Sequence, residues 1–238
     1  MATVYLIPTF LEEEANETIP SYVTEAIKLC QVFFVENERT TRRYFKQRWK
    51  EMVIDAYEWH VISSGTESMF RQKVKEGKTI GIVSEAGCPG VADPGQTLIA
   101  IAQQMNAVVK PLVGPSSILL ALMASGMNGQ QFQFHGYLPI DNQQRIKTIK
   151  ELEAESARKN CTQIFIETPY RNNQLMEAIL KNGNPATMLC IAAGLTGKNE
   201  WIKTTSIANW KKEVIDIHKR PAIFSFIQRQ IILLLLPH

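Results

Sequence analysis

The residues best suited to binding a ligand lie in a loop of small side chains at 84–90, Ser-Glu-Ala-Gly-Cys-Pro-Gly. The loop follows Thr79–Val83, a β-branched apolar run that is typical of a buried parallel strand. Asp93 and Pro94 then predict a helix start, with Asp93 at the N-cap and Pro94 at the first helical position. In open α/β sheets, ligands bind at such strand-to-helix loops, where small residues let them approach the backbone. A tight connection without a ligand is equally compatible with this spacing.

A second candidate for chemistry is the basic segment 39–50, RTTRRYFKQRWK, with six cations and three aromatic rings. As a helix it would carry a cationic face, whose candidate substrate-binding residues are Arg39, Arg42, Arg43 and Lys46. Cations with interleaved rings suit contacts to an RNA backbone and its bases. The alternative is a solvated helix that buries its rings and exposes its charges.

Several common catalytic and phosphate-binding motifs do not occur in the sequence. It contains no GxxxxGK[ST] loop, and no GxGxxG follows the first strand, where Leu6-Ile7 runs into Pro8. It also lacks GxSxG, HExxH and paired CxxC motifs. These absences exclude a P-loop and the usual dinucleotide and methyltransferase folds that share the glycine fingerprint.

Composition is that of an ordinary soluble protein, with 45% apolar and 21% charged residues in 238. The net charge of +3 neither requires nor excludes a nucleic-acid partner. Four dispersed cysteines and four dispersed histidines predict reduced thiols, no metal site and a cytoplasmic protein. The apolar run 231–236 is too short to span a membrane, and we expect a final strand or a subunit contact there.

The elements that must position these loops follow two patterns. In the first half, strands are predicted at 4–7, 31–35, 57–62, 79–83 and 107–112, and helices at 20–30, 39–50, 67–76 and 94–105. This alternation predicts a mostly parallel sheet flanked by helices. In the second half, strands are predicted at 133–138, 162–166, 187–193, 200–207 and 221–227, with helices at 143–159 and 208–217 and others ending near 126 and 180. The closer succession of strands predicts a mixed sheet.

Three loops carry a resemblance to the tetrapyrrole methylase superfamily. Residues 83–89 with 93–95 resemble its VSDAGTP…DPG signature, residues 111–117 its PLPGP crossing, and residues 136–139 its G-F-L-P segment. Weaker similarities occur at 7–9, at Glu36 with Arg39, at 167–171 and at 195–196, in matching order along nearly the whole chain. Within the superfamily the chain is most similar to the bacterial small-subunit rRNA (cytidine 2′-O) methyltransferases.

The resemblance implies an α/β protein of two lobes, residues 1–112 and 113–238, which binds S-adenosylmethionine in the cleft between them and forms a homodimer. It implies methyl transfer by in-line displacement, with an rRNA ribose or an altered substrate as acceptor. The residues that it assigns to the cofactor are Ser84, Glu85, Ala86, Gly87, Cys88, Val91, Ala92, Ser116, Ser117, Glu167, Ala193, Gly194, Pro221 and Ala222. Helix capping by the two serines and a plain strand start at Pro221-Ala222 are the structural alternatives.

Departures from the family pattern leave the substrate open. Glu12, Glu13 and Glu14 follow the first strand and would repel a phosphate backbone, while Glu85 and Cys88 replace the usual Asp and Thr. A ribose hydroxyl would need a general base, and Glu36, Glu85 and Glu167 are unranked candidates. A small-molecule or tetrapyrrole methyltransferase and a non-catalytic cofactor- or RNA-binding module are therefore the alternative functions.

Overall fold

Mostly apolar runs form the three central strands of the first sheet, whose five strands are all parallel. They are β1 (Thr3–Ile7), β2 (Val32–Val35), β3 (Glu58–Val61), β4 (Thr79–Val83) and β5 (Val108–Pro111), in the order β3-β2-β4-β1-β5. The computed structural model describes residues 1–13 and 15–228, and the chain forms two compact units, Met1–Ser116 and Ser117–His238. The run 231–236 and Glu14 lie outside the described residues. The predicted parallel sheet of the first half is confirmed.

Four helices cover the two faces of this sheet: α1 (Tyr22–Leu29), α2 (Glu38–Arg48), α3 (Thr66–Lys75) and α4 (Gly95–Gln104). Because side chains alternate along a strand, Phe33 packs in one cluster with α1 and α2, and Phe34 in another with α3 and α4. Gly81 lies against Phe33, where an added Cβ would stand 2.6 Å from the ring. The strands of the first unit are therefore buried on both faces at its centre.

Helix α2 corrects one hypothesis about the basic segment. Tyr44 and Phe45 are 2% and 0% exposed and belong to the core of the first unit, where the Phe33 and Phe45 ring centroids are 4.9 Å apart. Trp49, just after the helix, is partly buried against the same cluster. Tyr44 and Phe45 cannot stack on bases without unfolding the helix, so for these two rings the alternative of buried rings and outward charges is the correct one.

The start of α4 differs from the prediction by one residue. Pro94 occupies the N-cap position and Gly95 is the first helical residue. Asp93 still accepts from an amide of the helix start, since its Oδ1 lies 2.9 Å from the Gly95 nitrogen. The same oxygen accepts from the Gly90 nitrogen at 2.8 Å, which holds the side chain outside the helix.

The second unit contains a mixed five-stranded sheet. Its strands are β6 (Phe132–Tyr137), β7 (Thr162–Ile166), β8 (Met188–Ala193), β9 (Trp201–Ser206) and β10 (Ala222–Ile227), in the order β6-β7-β10-β8-β9. Only β6 and β7 are parallel, and β10 and β8 are antiparallel to their neighbours. The predicted mixed sheet is confirmed.

Helices α6 (Asn142–Lys159) and α7 (Asn172–Asn182) and the short α8 (Ile207–Trp210) share the core of the second unit with Phe165, Phe224 and other buried residues. Lys203 lies over the Trp210 ring on this face, so Thr204 points to the opposite face. There the Thr204 hydroxyl donates to the Ser125 carbonyl of α5 (Ser117–Ser125) at 2.9 Å. None of the described helices is both long and apolar enough to cross a membrane.

The predicted helix at 208–217 is wrong beyond Trp210. The indole Nε1 donates to the Leu189 carbonyl at 2.9 Å and anchors the end of α8. Asn173 then accepts from the Ile217 nitrogen, and Asp216 accepts from the His218 nitrogen. The Asn173 oxygen takes the Ile217 amide, which a helix to residue 217 would need, and Val214 within the predicted helix is exposed.

Candidate cofactor-binding loops

The carboxyl ends of the parallel strands in the first unit meet at one edge of the sheet. Thr9 follows β1, Glu36 follows β2 and Ser84 follows β4. The central neighbours in this group are β4 and β1, which pair along their whole length. Ligand sites of open parallel sheets lie at this edge.

The loop after β4 is fixed to the end of β1 by backbone bonds. Gly87 and Thr9 exchange two, from the Thr9 nitrogen to the Gly87 oxygen at 2.9 Å and in reverse at 3.2 Å. The Thr9 hydroxyl donates to the Ser84 carbonyl, and the Ser84 hydroxyl donates to the Gly87 carbonyl. Gly87 has φ +75°, a conformation that favours glycine. The loop is therefore shaped without a ligand.

Glu36 fixes the next residue of the loop from the end of β2. Its Oε2 accepts from the Glu85 nitrogen at 2.9 Å. Asn37, beside it, donates to the Glu85 carboxylate at 3.5 Å and also caps α2 through its own side-chain oxygen. The Glu85 side chain is exposed. Glu36 thus positions the loop, while Glu85 projects outward from it.

Val91 and Ala92 continue the loop and are both exposed, and Ala92 adopts φ 59°. Asp93, partly buried below them, joins the amides of Gly90 and Gly95. Burial raises the pKa of the Asp93 carboxyl, although these two amides oppose the effect. A carboxylate that ties two amides together keeps this part of the loop closely folded.

Cys88 connects the loop with the segment after β5. Its Sγ lies 3.5 Å from the Pro115 carbonyl and 3.7 Å from that of Gly114. Burial, with the charge of Asp93, raises the pKa of the Cys88 thiol, so the group is a neutral donor rather than a nucleophile. Gly114 in turn lies against Pro8, where an added Cβ would stand 2.2 Å from the proline Cβ.

A pocket of about 270 Å³ opens beside Ser84, Glu85 and Ala86. Its other lining residues come from the segment after β1 and from α2, and they are Thr9, Phe10, Leu11, Glu12, Glu13, Thr40, Thr41, Arg43 and Tyr44. Three carboxylates and one guanidinium line it, and the guanidinium of Arg43 is paired with Glu13. Both members of this ion pair are largely exposed.

The four predicted substrate-binding cations do not converge on this pocket. Only Arg43 lines it. Arg42 pairs with Glu38 at 2.7 Å and lies over the Trp59 ring, and Lys46 donates to the carbonyls after the end of α2. Arg39 is exposed at the first turn of α2. Most of the cationic segment therefore stabilises its own surroundings.

In the second unit, the register of the sheet brings five of the remaining predicted residues to one edge: Glu167, Ala193, Gly194, Pro221 and Ala222. Ala222 pairs with Ala193, and the Gly194 nitrogen donates to the Pro221 carbonyl at 2.9 Å. Glu167 directly follows Ile166, which pairs with the residue after Ala222. Ser116 closes the first unit and Ser117 begins α5 in the second.

Glu167 carries the clearest indication of a ligand at this edge. Its side chain is fully buried, and Oε1 accepts from Thr168 at 2.7 Å and from two nitrogens of Arg171 at 3.0 and 2.6 Å. Oε2 is buried and has no hydrogen-bond partner among the described residues. A buried carboxylate oxygen is normally satisfied, so this one is available to an N–H or O–H donor of a ligand.

These observations fit S-adenosylmethionine. The cofactor offers amine and hydroxyl donors and has no phosphate, so it suits carboxylate acceptors and small-residue backbone rather than a P-loop. Each unit offers such groups by itself: the loop Ser84–Cys88 offers backbone in the first unit, and the orphan oxygen of Glu167 offers an acceptor in the second.

Sequence reasoning missed Thr9, Asn37, Arg171 and Arg220 as positioning residues. Arg220 holds the segment after β8 by donating to the Asn199 carbonyl at 2.5 Å. The spacing of Glu167 and Arg171, four residues apart, was the available signal for their ion pair.

Comparisons with known proteins were made by sequence and by structure. No family model matches the chain. The chain is 32% identical over 179 residues to Ribosomal RNA small subunit methyltransferase I of Bacillus subtilis, covering 75% of this chain and 59% of that protein. It is 30% identical over 192 residues to the protein of that name from Halalkalibacterium halodurans, covering 79% and 63%. The chain thus spans less than two thirds of the length of either relative.

Solved structures share the fold over nearly all of the chain. The methyltransferase CobJ superposes with a TM-score of 0.60 at 15% identity, covering 95% of this chain and 93% of its own. Uroporphyrin-III-C-methyltransferase from Thermus thermophilus gives 0.55 at 14%, covering 95% and 94%. The shared fold and the sequence relatives confirm the resemblance that the three loops carry.

Proposed function

We propose that the chain is an S-adenosylmethionine-dependent methyltransferase of the tetrapyrrole methylase superfamily, acting on RNA of the small ribosomal subunit. The observation that carries the proposal is the loop Ser84–Cys88, whose backbone is fixed by Thr9 and Glu36 beside the pocket of the first unit. The sequence relatives bear the name of a ribosomal RNA methyltransferase, which supports the choice of acceptor.

The residues of both units have distinct tasks in this proposal. When bound, S-adenosylmethionine supplies an electrophilic methyl group. The loop after β4 presents the exposed Ala86 for close packing, and the buried Gly87 fixes the loop's shape through its bonds to Thr9. Glu167 accepts a hydrogen bond at Oε2. Alignment of the acceptor oxygen with the methyl group provides much of the rate enhancement. Val91, Ala92, Ser116 and Ser117 are proposed to complete the contacts.

Glu85 is the carboxylate that we propose as proton acceptor for a ribose hydroxyl. Glu36 is committed to the Glu85 amide. Glu167 is buried, its Oε1 accepts three donors, and its Oε2 is assigned to the cofactor in this proposal. Glu85 is exposed and lines the pocket beside the loop. A general base must be within hydrogen-bond reach of its substrate, and only an outward carboxylate meets that condition.

The acceptor site is proposed at the pocket of the first unit, with Arg43 as its phosphate contact. Arg39, Arg42 and Lys46 contribute to the charge of the surrounding surface. We also propose that the protein is a homodimer in the cytoplasm. A monomer mass in sedimentation equilibrium of the full chain would contradict the dimer. The described cysteines are free, which agrees with a reducing compartment.

A small-molecule acceptor is the second candidate. The three carboxylates in the pocket favour it, since they oppose the approach of a polyanion. A methyl-transfer assay with small ribosomal subunits as acceptor separates the two candidates. Labelled RNA supports the first, and cofactor turnover only with a small molecule supports the second.

Calorimetric titration of the full chain with S-adenosylmethionine and S-adenosylhomocysteine tests cofactor binding, on which the whole proposal depends. We expect both to bind with dissociation constants on the order of micromolar. The variant Glu167→Gln keeps the size of the side chain and removes its charge, and we expect it to weaken binding about tenfold. Glu177→Gln on the exposed face of α7 is the matched control. Well-folded wild-type protein that binds neither compound would support a non-catalytic module instead.

A further inference from the structure

Arg145, in the first turn of α6, is a buried cation that the proposed chemistry does not use. The residue as a whole is only 7% exposed to solvent. One terminal nitrogen donates to the Asn142 side chain at 3.1 Å and the other to the Ile140 carbonyl at 3.5 Å. Its Nε is buried without an acceptor among the described residues. Both partners of this guanidinium are therefore neutral.

This arrangement is electrostatically unfavourable by itself. Among residues 1–13 and 15–228, no carboxylate lies within salt-bridge distance of Arg145. A buried charge normally has an ionic partner, because removing it from water is expensive. The first turn of a helix also carries the positive end of the helix dipole, which disfavours a cation there. The missing element at this position is an anion.

A pocket of about 220 Å³ adjoins the guanidinium, between α6 and α7. Besides Arg145 it is lined by Asn142, Ile146, Gln174, Glu177, Ala178, Lys181 and Asn182. Asn142, Gln174 and Asn182 carry amide donors, and Lys181 adds a second positive charge. Glu177 is the one carboxylate in the lining and lies on the exposed side of α7. Charge and donors together favour an oxyanion of small size.

We propose that this pocket is a phosphate-binding site with Arg145 as its central ligand. The planar guanidinium presents paired donors that match the oxygens of a phosphate, and Lys181 contributes a point charge. The phosphate belongs either to an RNA backbone or to a free phosphate-containing molecule. The site is independent of the cofactor loops, so it stands or fails separately from the proposed methyl transfer.

Thermal unfolding of the full chain, titrated with inorganic phosphate at constant ionic strength, tests the site. We expect the Tm of the wild-type protein to rise by about 5 °C when the phosphate concentration is about 100 times its dissociation constant. Arg145→Met removes the guanidinium at similar volume. It should abolish the rise while leaving Tm without phosphate unchanged or higher, because an unpaired buried charge is lost. A purely structural arginine would instead lower that Tm.

Lys147→Met is the matched control, since it removes one positive charge from the same helix at an exposed position. It should retain the phosphate effect, which separates site binding from general salt stabilisation. If Arg145→Met does not fold, Arg145→Lys decides: a phosphate response reduced several-fold supports the site, and an unchanged response overturns it. A wild-type protein without any phosphate response also overturns it.

Binding of a short single-stranded RNA to the wild-type protein and to Arg145→Met identifies the source of the phosphate. Weaker RNA binding by the variant, with a smaller salt dependence, assigns the site to the RNA backbone. Equal RNA binding by both proteins, with the phosphate response lost in the variant, assigns it to a free phosphate compound.

Discussion

At the scale of single residues, Gly114 shows how tightly the strand-end loops are packed. The two hydrogens of the glycine Cα are what allow Pro8 to lie directly against it. Pro8 ends β1, and Gly114 follows β5, so the contact joins the ends of two paired strands. The need for a glycine here is one of space, not of backbone conformation.

We therefore predict that Gly114→Ala destabilises the first unit by about 1–3 kcal/mol, because an added methyl group would overlap the proline ring. Gly129→Ala is the control, since an added Cβ there meets nothing within 4 Å. The control should change the free energy of unfolding by less than about 0.5 kcal/mol in urea titrations. Equal effects of the two substitutions would show that the contact with Pro8 is easily relieved.

Residue identity predicted this site only in part. The small residues at 84–88 predicted a ligand-binding loop, and the structure shows how Thr9 and Glu36 hold it. Their roles could not be derived from the sequence, because they lie 75 and 49 positions from the groups that they bind. The orphan oxygen of Glu167 depends likewise on burial, which the type of residue does not reveal.

At the scale of elements, the acidic segment after β1 and the basic helix α2 carry opposite charges, and an ion pair joins them in the structure. Glu13 binds Arg43 across the mouth of the pocket. Because both side chains are largely exposed, the pair contributes at most about 1 kcal/mol. A polyanion with several contacts could replace Glu13 at this small cost.

Under the proposed RNA acceptor, Glu13→Gln should strengthen RNA binding up to about fivefold, because it frees Arg43 for a phosphate. Glu12→Gln removes the same charge from the same pocket without touching the pair, and should have a smaller effect. Filter binding at one fixed salt concentration measures both. Equal gains from the two variants would indicate general repulsion and no specific role for the ion pair.

A second pair links β3 to α3 and should make the first unit acid-sensitive. The Lys73 ammonium, 2.8 Å from Glu58, holds the pKa of that carboxyl below its usual value, with a smaller contribution from His60. The stabilisation is present above pH 4.5 and is lost as pH falls through the lowered pKa.

We predict that Glu58→Gln reduces the loss of unfolding free energy between neutral pH and about pH 3. Glu76→Gln, whose carboxylate lies 3.7 Å from the same lysine, is the control and should keep most of the acid sensitivity. Urea denaturation at each pH provides the measurement. An unchanged pH profile in Glu58→Gln would contradict the assignment.

At the scale of the whole molecule, strand periodicity predicted most of the architecture. The bounds of β4 and β7 agree with the sequence patterns, because each strand ends in an apolar run that stops at a polar residue, Ser84 after β4 and Glu167 after β7. The helix prediction for 208–217 was wrong although the apolar spacing is compatible with a helix, because Asn173 and Asp216 accept from backbone amides at the end of this segment. The sequence could not show whether the rings of α2 are buried or exposed, because its charged and aromatic residues are interleaved in either case.

The two units also have separate hydrophobic clusters. Phe33 and Phe34 lie in the two clusters of the first unit, and Phe165 and Phe224 lie in that of the second. Predicted cofactor residues occur in both. A substitution such as Gly114→Ala should accordingly act on the stability of one core, and its effect need not appear in a spectroscopic signal that reports the other.

The exchange of backbone bonds between Thr9 and Gly87, with the carboxylate of Glu36 on the Glu85 amide, has a consequence for the cost of ligand binding. These amides are already ordered, so little conformational entropy remains to be lost when a ligand arrives. Their hydrogens should exchange slowly with deuterated solvent even in the free protein. Ligand binding should thus leave the protection of these amides nearly unchanged. It should instead slow hydrogen exchange in the exposed segment at Val91 and Ala92.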